Sequence, residues 1–191
     1  MKTRFLALAV STLLASAAFA QTSTWKIDPM HSQSNFEIRH MGVSNVRGSI
    51  SGISGHIEWN EKDPSKSSVV ADLDMNTINT TTAARDADLK SPHFFNVAKY
   101  PKMHFQSTRV EGKAGHLKVY GDLTISGVTK PVILNMDGPA APQKGREGGV
   151  ISGLEATTTI RRADFNIGPM YAPPSIGDQV KIIIDIEMDK K

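Results

Sequence analysis

Apolar and polar side chains alternate with a period of two along most of this chain. Val69, Ala71, Leu73 and Met75 alternate with Asp72, Asp74 and Asn76. Leu117, Val119, Leu123 and Ile125 alternate with Lys118, Tyr120, Asp122 and Thr124. Val180, Ile182, Ile184, Ile186 and Met188 alternate with Lys181, Asp185 and Glu187, interrupted only by Ile183. Such alternation puts one face of a strand in an apolar interior and the other in water. Eight runs of this kind are predicted, at about 33–41, 47–59, 67–77, 102–111, 116–126, 131–137, 150–162 and 178–189, with a short strand at 24–28 before them. One segment reads as a helix: Thr80, Thr81 and Thr82 offer an N-cap hydroxyl, Ala83 to Lys90 are good helix formers, and Pro92 ends the segment.

Eight one-sided strands left as an open sheet would expose two edges and a bare apolar face. Closure into a barrel removes both; a two-sheet sandwich is the alternative. Long runs, short connections and Gly48, Gly52 and Gly55 within one strand favour closure, because glycine permits the sharp coiling a small barrel needs. The expected fold is therefore all-β, an eight-stranded antiparallel barrel with one short helix beside it. Two loops stand out. Residues 138–149 are rich in Pro, Gly and charge and read as a floppy excursion without an apolar anchor. Residues 168–174 carry three prolines with Met170 and Tyr171, and read as a shaped rim.

The N-terminus reads as an address. Lys2 and Arg4 precede an apolar run from Phe5 to Leu14, and Ala18-Phe19-Ala20 is an A-x-A cleavage site. Residues 1–20 are expected to be a cleaved secretory signal and residues 21–191 one domain in the periplasm. The formal charge of +3 includes this leader; without Lys2 and Arg4 the balance is 20 basic against 19 acidic side chains. That near-neutral balance, without long basic runs, argues against nucleic acid as a partner. Cysteine is absent, so no disulfide is available.

Signatures of chemistry are missing. The six histidines show no metal-binding spacing, and no cysteine supplements them, so no metal is expected. They read as surface or capping residues, with His40 alternatively a polar contact at the barrel mouth. Neither a G-x-S-x-G nucleophile motif nor a phosphate loop occurs, and no carboxylate pair is singled out by spacing. No cofactor is expected.

A barrel of eight strands is either filled by its own side chains or just wide enough for one ligand. Composition leaves both open. Aromatic side chains are few, and small residues such as Ala71, Ser107, Gly121 and Gly153 fall at interior positions. Twelve-residue strands tilted near 40° would give a barrel roughly 30 Å tall, a length that suits a chain-like lipid. If the barrel is hollow, its lining is expected to include Phe36, Ile38, Leu73, Met75, Phe105, Leu123 and Ile125, with His40 at the mouth. Phe94, Phe95, Met170 and Tyr171 are expected to gate one end. Phe94 and Phe95 read equally well as core plugs.

Four phrases carry a family resemblance. They are Trp25-Lys26-Ile27-Asp28-Pro29-Met30-His31-Ser32 leading to Phe36, Ile38 and His40; Arg85-Asp86 with Ser91-Pro92-His93-Phe94-Phe95 and Lys99-Tyr100-Pro101; Gly121 to Pro131; and Gly177-Asp178-Gln179-Val180, with Arg162 and Asp164-Phe165 a further match. In this order they resemble the YceI-like family of periplasmic polyisoprenoid-binding proteins. The resemblance implies a lipocalin-like barrel that holds an isoprenoid tail, as in a quinone or polyprenyl carrier, without a cofactor or established chemistry. The second phrase departs from the family pattern: Asp88 stands where a histidine is usual, and His93 and Asn96 where aspartates are usual. A non-catalytic lipid binder or carrier is thus the favoured expectation. An enzyme using a buried carboxylate on a lipid and a ligand-free stress-related scaffold are the alternatives. Contact with a membrane would be transient, and a homodimer is left open.

Overall fold

A computed structural model describes residues 22–146 and 148–191 of the protein, so the leader expected over 1–20 lies outside the described residues. The described chain runs through β1 (Ser23–Ile27), β2 (Gln33–His40), β3 (Ser44–Ile50), β4 (Ile53–Trp59), β5 (Ser68–Asp74), α1 (Ala83–Lys90), β6 (Lys102–Lys113), β7 (His116–Ile125), β8 (Val128–Asp137), β9 (Gln143–Lys144), β10 (Val150–Arg161) and β11 (Ile176–Lys190).

These strands make a closed antiparallel barrel, because β11 meets partners on both edges. One edge pairs with β10 from Ile151 opposite Asp189 to Arg161 opposite Gln179. The other pairs with β2, as Ile38 opposite Val180, and then with β1, as Trp25 opposite Lys190. Since β1 pairs with β4, and β2 with β3, β1 and β2 together act as one bent stave and β3 and β4 as the next. The ring is then β1/β2, β3/β4, β5, β6, β7, β8, β10 and β11, the eight expected staves. A sandwich is excluded by this closure.

The run expected as one strand over 47–59 bends at Gly52, whose φ of +66° is one that glycine adopts at little cost. Above the bend β3 follows β2; below it β4 follows β1. The run expected over 67–77 stops at Asp74, because its carboxylate accepts the Asn76 N–H at 3.0 Å and turns the chain. Met75 therefore sits in a tight 3-10 turn rather than on the strand, buried at 2% exposure. Along β7, Leu117, Val119, Gly121, Leu123 and Ile125 are buried while Lys118 and Asp122 are exposed, as the period of two requires.

α1 covers Ala83–Lys90 as expected, but its cap works in reverse. No threonine hydroxyl caps the first turn. Instead Asp86 reaches back, accepting from the Thr80 N–H at 2.8 Å and the Thr80 hydroxyl at 2.5 Å. A carboxylate near a helix start also faces the positive end of the helix dipole. The described part of 138–149, residues 138–146 and 148–149, is better anchored than its composition suggests. Ala140 N–H donates to Gly153 at 2.8 Å, the Ser152 hydroxyl donates to Ala140 at 2.7 Å, and β9 pairs with Val150 and Ile151.

The two barrel ends differ. Around β1 the interior is filled by Trp25, Ile27, Ile57, Leu117, Met136 and Met188, all buried. At the opposite end the covers are the 75–101 segment with α1, the β2–β3 hairpin tip at 41–43, and a strap over 162–175. The wall is weakest between β8 and β10, which pair at only three positions, Asn135 to Asp137 against Glu155 to Thr157. Among the described residues no helix is long and apolar enough to cross a membrane.

Candidate functional site

The lumen is partly hollow and consists of two joined spaces. The lower is a narrow slot of about 90 Å³ lined almost wholly by apolar groups, among them Ala71, Leu73, Phe105, Leu123, Ala156 and Ile184. The upper is a chamber of about 500 Å³ under the mouth. Ser34, Met103 and Ile182 line both, so the slot continues the chamber toward the closed end. The chamber alone lies within the ordinary range of small-molecule pockets.

Most of the residues expected from strand register meet at these spaces. Leu73, Phe105 and Leu123 line the slot. Phe36, Ile38, His40, Phe94, Phe95, Ile125 and Tyr171 line the chamber. Met75 and Met170 line neither: Met75 is packed beneath the 3-10 turn, and Met170 points outward at 64% exposure. Register reasoning fails for Met75 because the strand ends before it. It does not reach Met170, which lies in a loop.

Phe94 and Tyr171 close part of the chamber together. Their rings stack at a centroid distance of 5.2 Å with planes 11° apart. Gly168 permits this approach, since a Cβ there would come within 2.6 Å of the Phe94 ring. Phe95 is held separately, its carbonyl accepting the Ser126 hydroxyl at 2.8 Å. The two adjacent aromatics thus belong to one wall but to different anchors.

The strap carrying Tyr171 is clamped by Arg162. This guanidinium is 5% exposed, and it is the only charged side chain that is fully buried among the described residues. Its Nε donates to Gly177 at 2.9 Å, and one terminal nitrogen to Ile167 and Gly168 at 2.9 and 2.8 Å. The other terminal nitrogen donates to Tyr171 and to Ile176. All five N–H donors of the fork are thereby used on backbone carbonyls. Beside it the Asp178 carboxylate accepts from Arg161 Nε at 2.7 Å and from the Ala163 N–H at 3.0 Å. That bond to Arg161 holds the Asp178 carboxyl below the usual carboxylate range. Arg162 was visible in sequence only as part of a motif. Its role needs the fold, since its partners are carbonyls and leave no side-chain signal.

Polar groups gather at the mouth. Arg39, His40, Arg85, Asp88 and Arg162 line the chamber there. Arg85 donates to the Thr80 hydroxyl and carbonyl, and Arg39 to the Gly42 carbonyl and the Asn45 side chain. Asp88 lies 2.9 Å from His93 Nδ1. Asp88 is the one carboxylate among the lining residues of either space.

The histidines otherwise lie apart. His104 faces Thr124 and His116 faces Lys113, at opposite ends of the β6–β7 hairpin. His31 does have company at the closed end, where Asp28, His31 and Glu187 each place one donor atom within 4.8 Å of the others. Sequence spacing could not find this trio, because Glu187 comes from β11. The hydrogen bond between His31 Nδ1 and Asp28, 2.6 Å, raises the imidazole pKa and lowers that of the carboxyl.

The chain matches the YceI-like domain over residues 25–188. It belongs to the YceI-like family. Protein YceI of Salmonella arizonae is 36% identical over 193 residues, covering 98% of this chain and 97% of that one. The Campylobacter jejuni YceI protein, known for crystals with large solvent channels, superposes with a TM-score of 0.71 at 24% identity, over 96% of this chain and 99% of its own. A polyisoprenoid-binding domain from Saccharophagus degradans, implicated in plant cell wall breakdown, superposes with a TM-score of 0.66 at 16% identity, over 90% and 100%. At such identities the superpositions establish a shared fold.

Proposed function

We propose that this protein binds one long isoprenoid lipid, a quinone or polyprenyl compound, with its tail in the slot and its head at the mouth. The observation that carries this reading is the gradient along the lumen. The slot is almost wholly apolar, the chamber above it is wide, and charged groups line only the chamber, toward the mouth. A ligand matched to that gradient is a chain-like amphiphile. The Saccharophagus domain of the same fold is a polyisoprenoid binder, which supports the same class of ligand. Apolar contact contributes about 25 cal/mol per Å² removed from water, so affinity grows with every isoprene unit the lumen can take.

Acid–base chemistry on the tail has no group to perform it among the residues that line the slot. Asp88 sits at the rim with its carboxylate on His93, away from the slot. The protein is a carrier on this reading, exported to the periplasm by residues 1–20, with residues 21–191 as the lipid-binding domain. The test is a series of quinones with one, four and eight isoprene units, followed by the longest tail on a different head. Affinity is expected to climb with tail length and to change little with the head. Equal affinity across the series would overturn the proposal.

A further inference from the structure

We propose that the mouth of the barrel docks on an anionic lipid bilayer through an apolar collar made by the 41–43 hairpin tip and the 168–174 strap. This rests on the lumen reading above for its purpose, though not for its evidence. Met41 is 54% exposed, Val43 78% and Met170 64%. Pro169, Ala172, Pro173 and Pro174 beside them are exposed as well. The two segments form one surface: Met41 N–H donates to the Ser175 carbonyl at 2.9 Å, and a Cβ on Gly42 would lie 3.7 Å from Pro174. From Asn166 to Gly177 the chain carries no charged residue. Soluble monomers rarely expose contiguous apolar surface of this kind without a partner for it.

Charge selects the partner. Among the described residues Arg39, at the base of the hairpin tip, donates to the Gly42 carbonyl and the Asn45 side-chain oxygen and to no carboxylate. Arg85 spends its hydrogen bonds on Thr80 and Thr82. Arg47 and Lys181 share the single carboxylate of Glu37. With Lys90, Arg161 and Arg162 at the mouth end of the same elements there are seven cations against five carboxylates (Glu37, Asp86, Asp88, Asp164 and Asp178), and an apolar tip with this cationic excess beside it fits an interface whose head groups are anionic and whose interior is hydrocarbon. The collar borders the chamber opening, so docking would set the mouth on the lipid phase and spare a tail from crossing water. The Arg162 clamp keeps the strap in shape for this.

The test is co-sedimentation of the purified protein with vesicles of phosphatidylcholine, alone and mixed with phosphatidylglycerol. The expected result is binding to the mixed vesicles that weakens as salt is raised and falls at least tenfold in the Met41→Ser/Val43→Ser double variant. Neither residue lines the lumen, so the lipid extracted from that variant should match wild type. A loss of both binding and lipid content would locate the failure in the lumen and overturn the collar assignment. So would vesicle binding that survives the double substitution, or a wild-type protein that ignores vesicles. A collar-dependent dimer seen by sedimentation without vesicles would also overturn it, with a second copy as the occupant. The Met170→Ser variant gives an independent reading from the strap side.

Discussion

Phe94 and Tyr171 stack nearly parallel, 5.2 Å between centroids, and so join the turn after α1 to the strap that precedes β11. Both rings line the chamber, and both halves of the contact belong to segments that connect strands rather than form them. An aromatic pair of this kind is worth about 0.5–1.5 kcal/mol beyond its area. If opening of the mouth breaks the stack, Phe94→Leu and Tyr171→Leu should each speed lipid release, and the double variant should speed it little more than either alone. Independent, additive effects in a release assay would show that the stack is not what opens.

The slot sets the depth to which a tail can reach. Ala156 faces it, and a larger side chain there would occupy part of a space of only about 90 Å³. Ala156→Leu should shorten the longest tail accepted while leaving short-tailed quinones nearly unaffected, at a stability cost of about 1–3 kcal/mol. Unchanged affinity for the longest tail would place the tail elsewhere.

Arg162 holds five backbone carbonyls at and beside the strap, and only that of Gly168 is also bound within the strap, by the Tyr171 N–H. Arg162→Met removes the charge together with every donor and should destabilise the fold by roughly 3 kcal/mol or more. In a protein of this size that lowers the melting temperature by about 6–12 °C. Hydrogen exchange should place the loss first at residues 167–177. A melting temperature within about a degree of wild type would contradict the clamp.

The His31–Asp28 contact makes the 28–32 turn sensitive to pH. The imidazole pKa is raised, chiefly by the hydrogen bond to Asp28, so this stabilisation is complete below the unfolded value of about 6.5 and fades as pH rises through the folded value. The carboxyl pKa is lowered, so its share is present above the unfolded value of about 3.9 and is lost as pH falls through the folded one. The turn should be tightest between these limits. An NMR titration should show His31 above 6.5, and exchange of the Met30 amide, bound to Asp28 at 2.8 Å, should quicken on the alkaline side. His31→Asn should remove that alkaline change. Titration of His31 at or below 6.5 would refute the assignment.

The barrel wall was legible because its physics is local. One-sided strands announce themselves by alternation, and Leu73, Phe105 and Leu123 reach the lumen on that ground alone. What alternation could not supply were the positions set by turns. Asp74 ends β5 before Met75, and the strap turns Met170 outward while Tyr171 faces in. The second phrase shows a further limit. Asp88 in place of a histidine and His93 in place of an aspartate looked like two separate departures from the family pattern. In the structure the two side chains meet at 2.9 Å, so both exchanges fall within a single contact.

The most direct measurement is of what the protein carries. Protein purified without detergent would be extracted with organic solvent, and the extract weighed by mass spectrometry against protein concentration. A lumen that binds isoprenoid should yield a polyprenyl compound at close to one per chain. Folded protein whose extract holds no isoprenoid, or only compounds without a long tail, would contradict it.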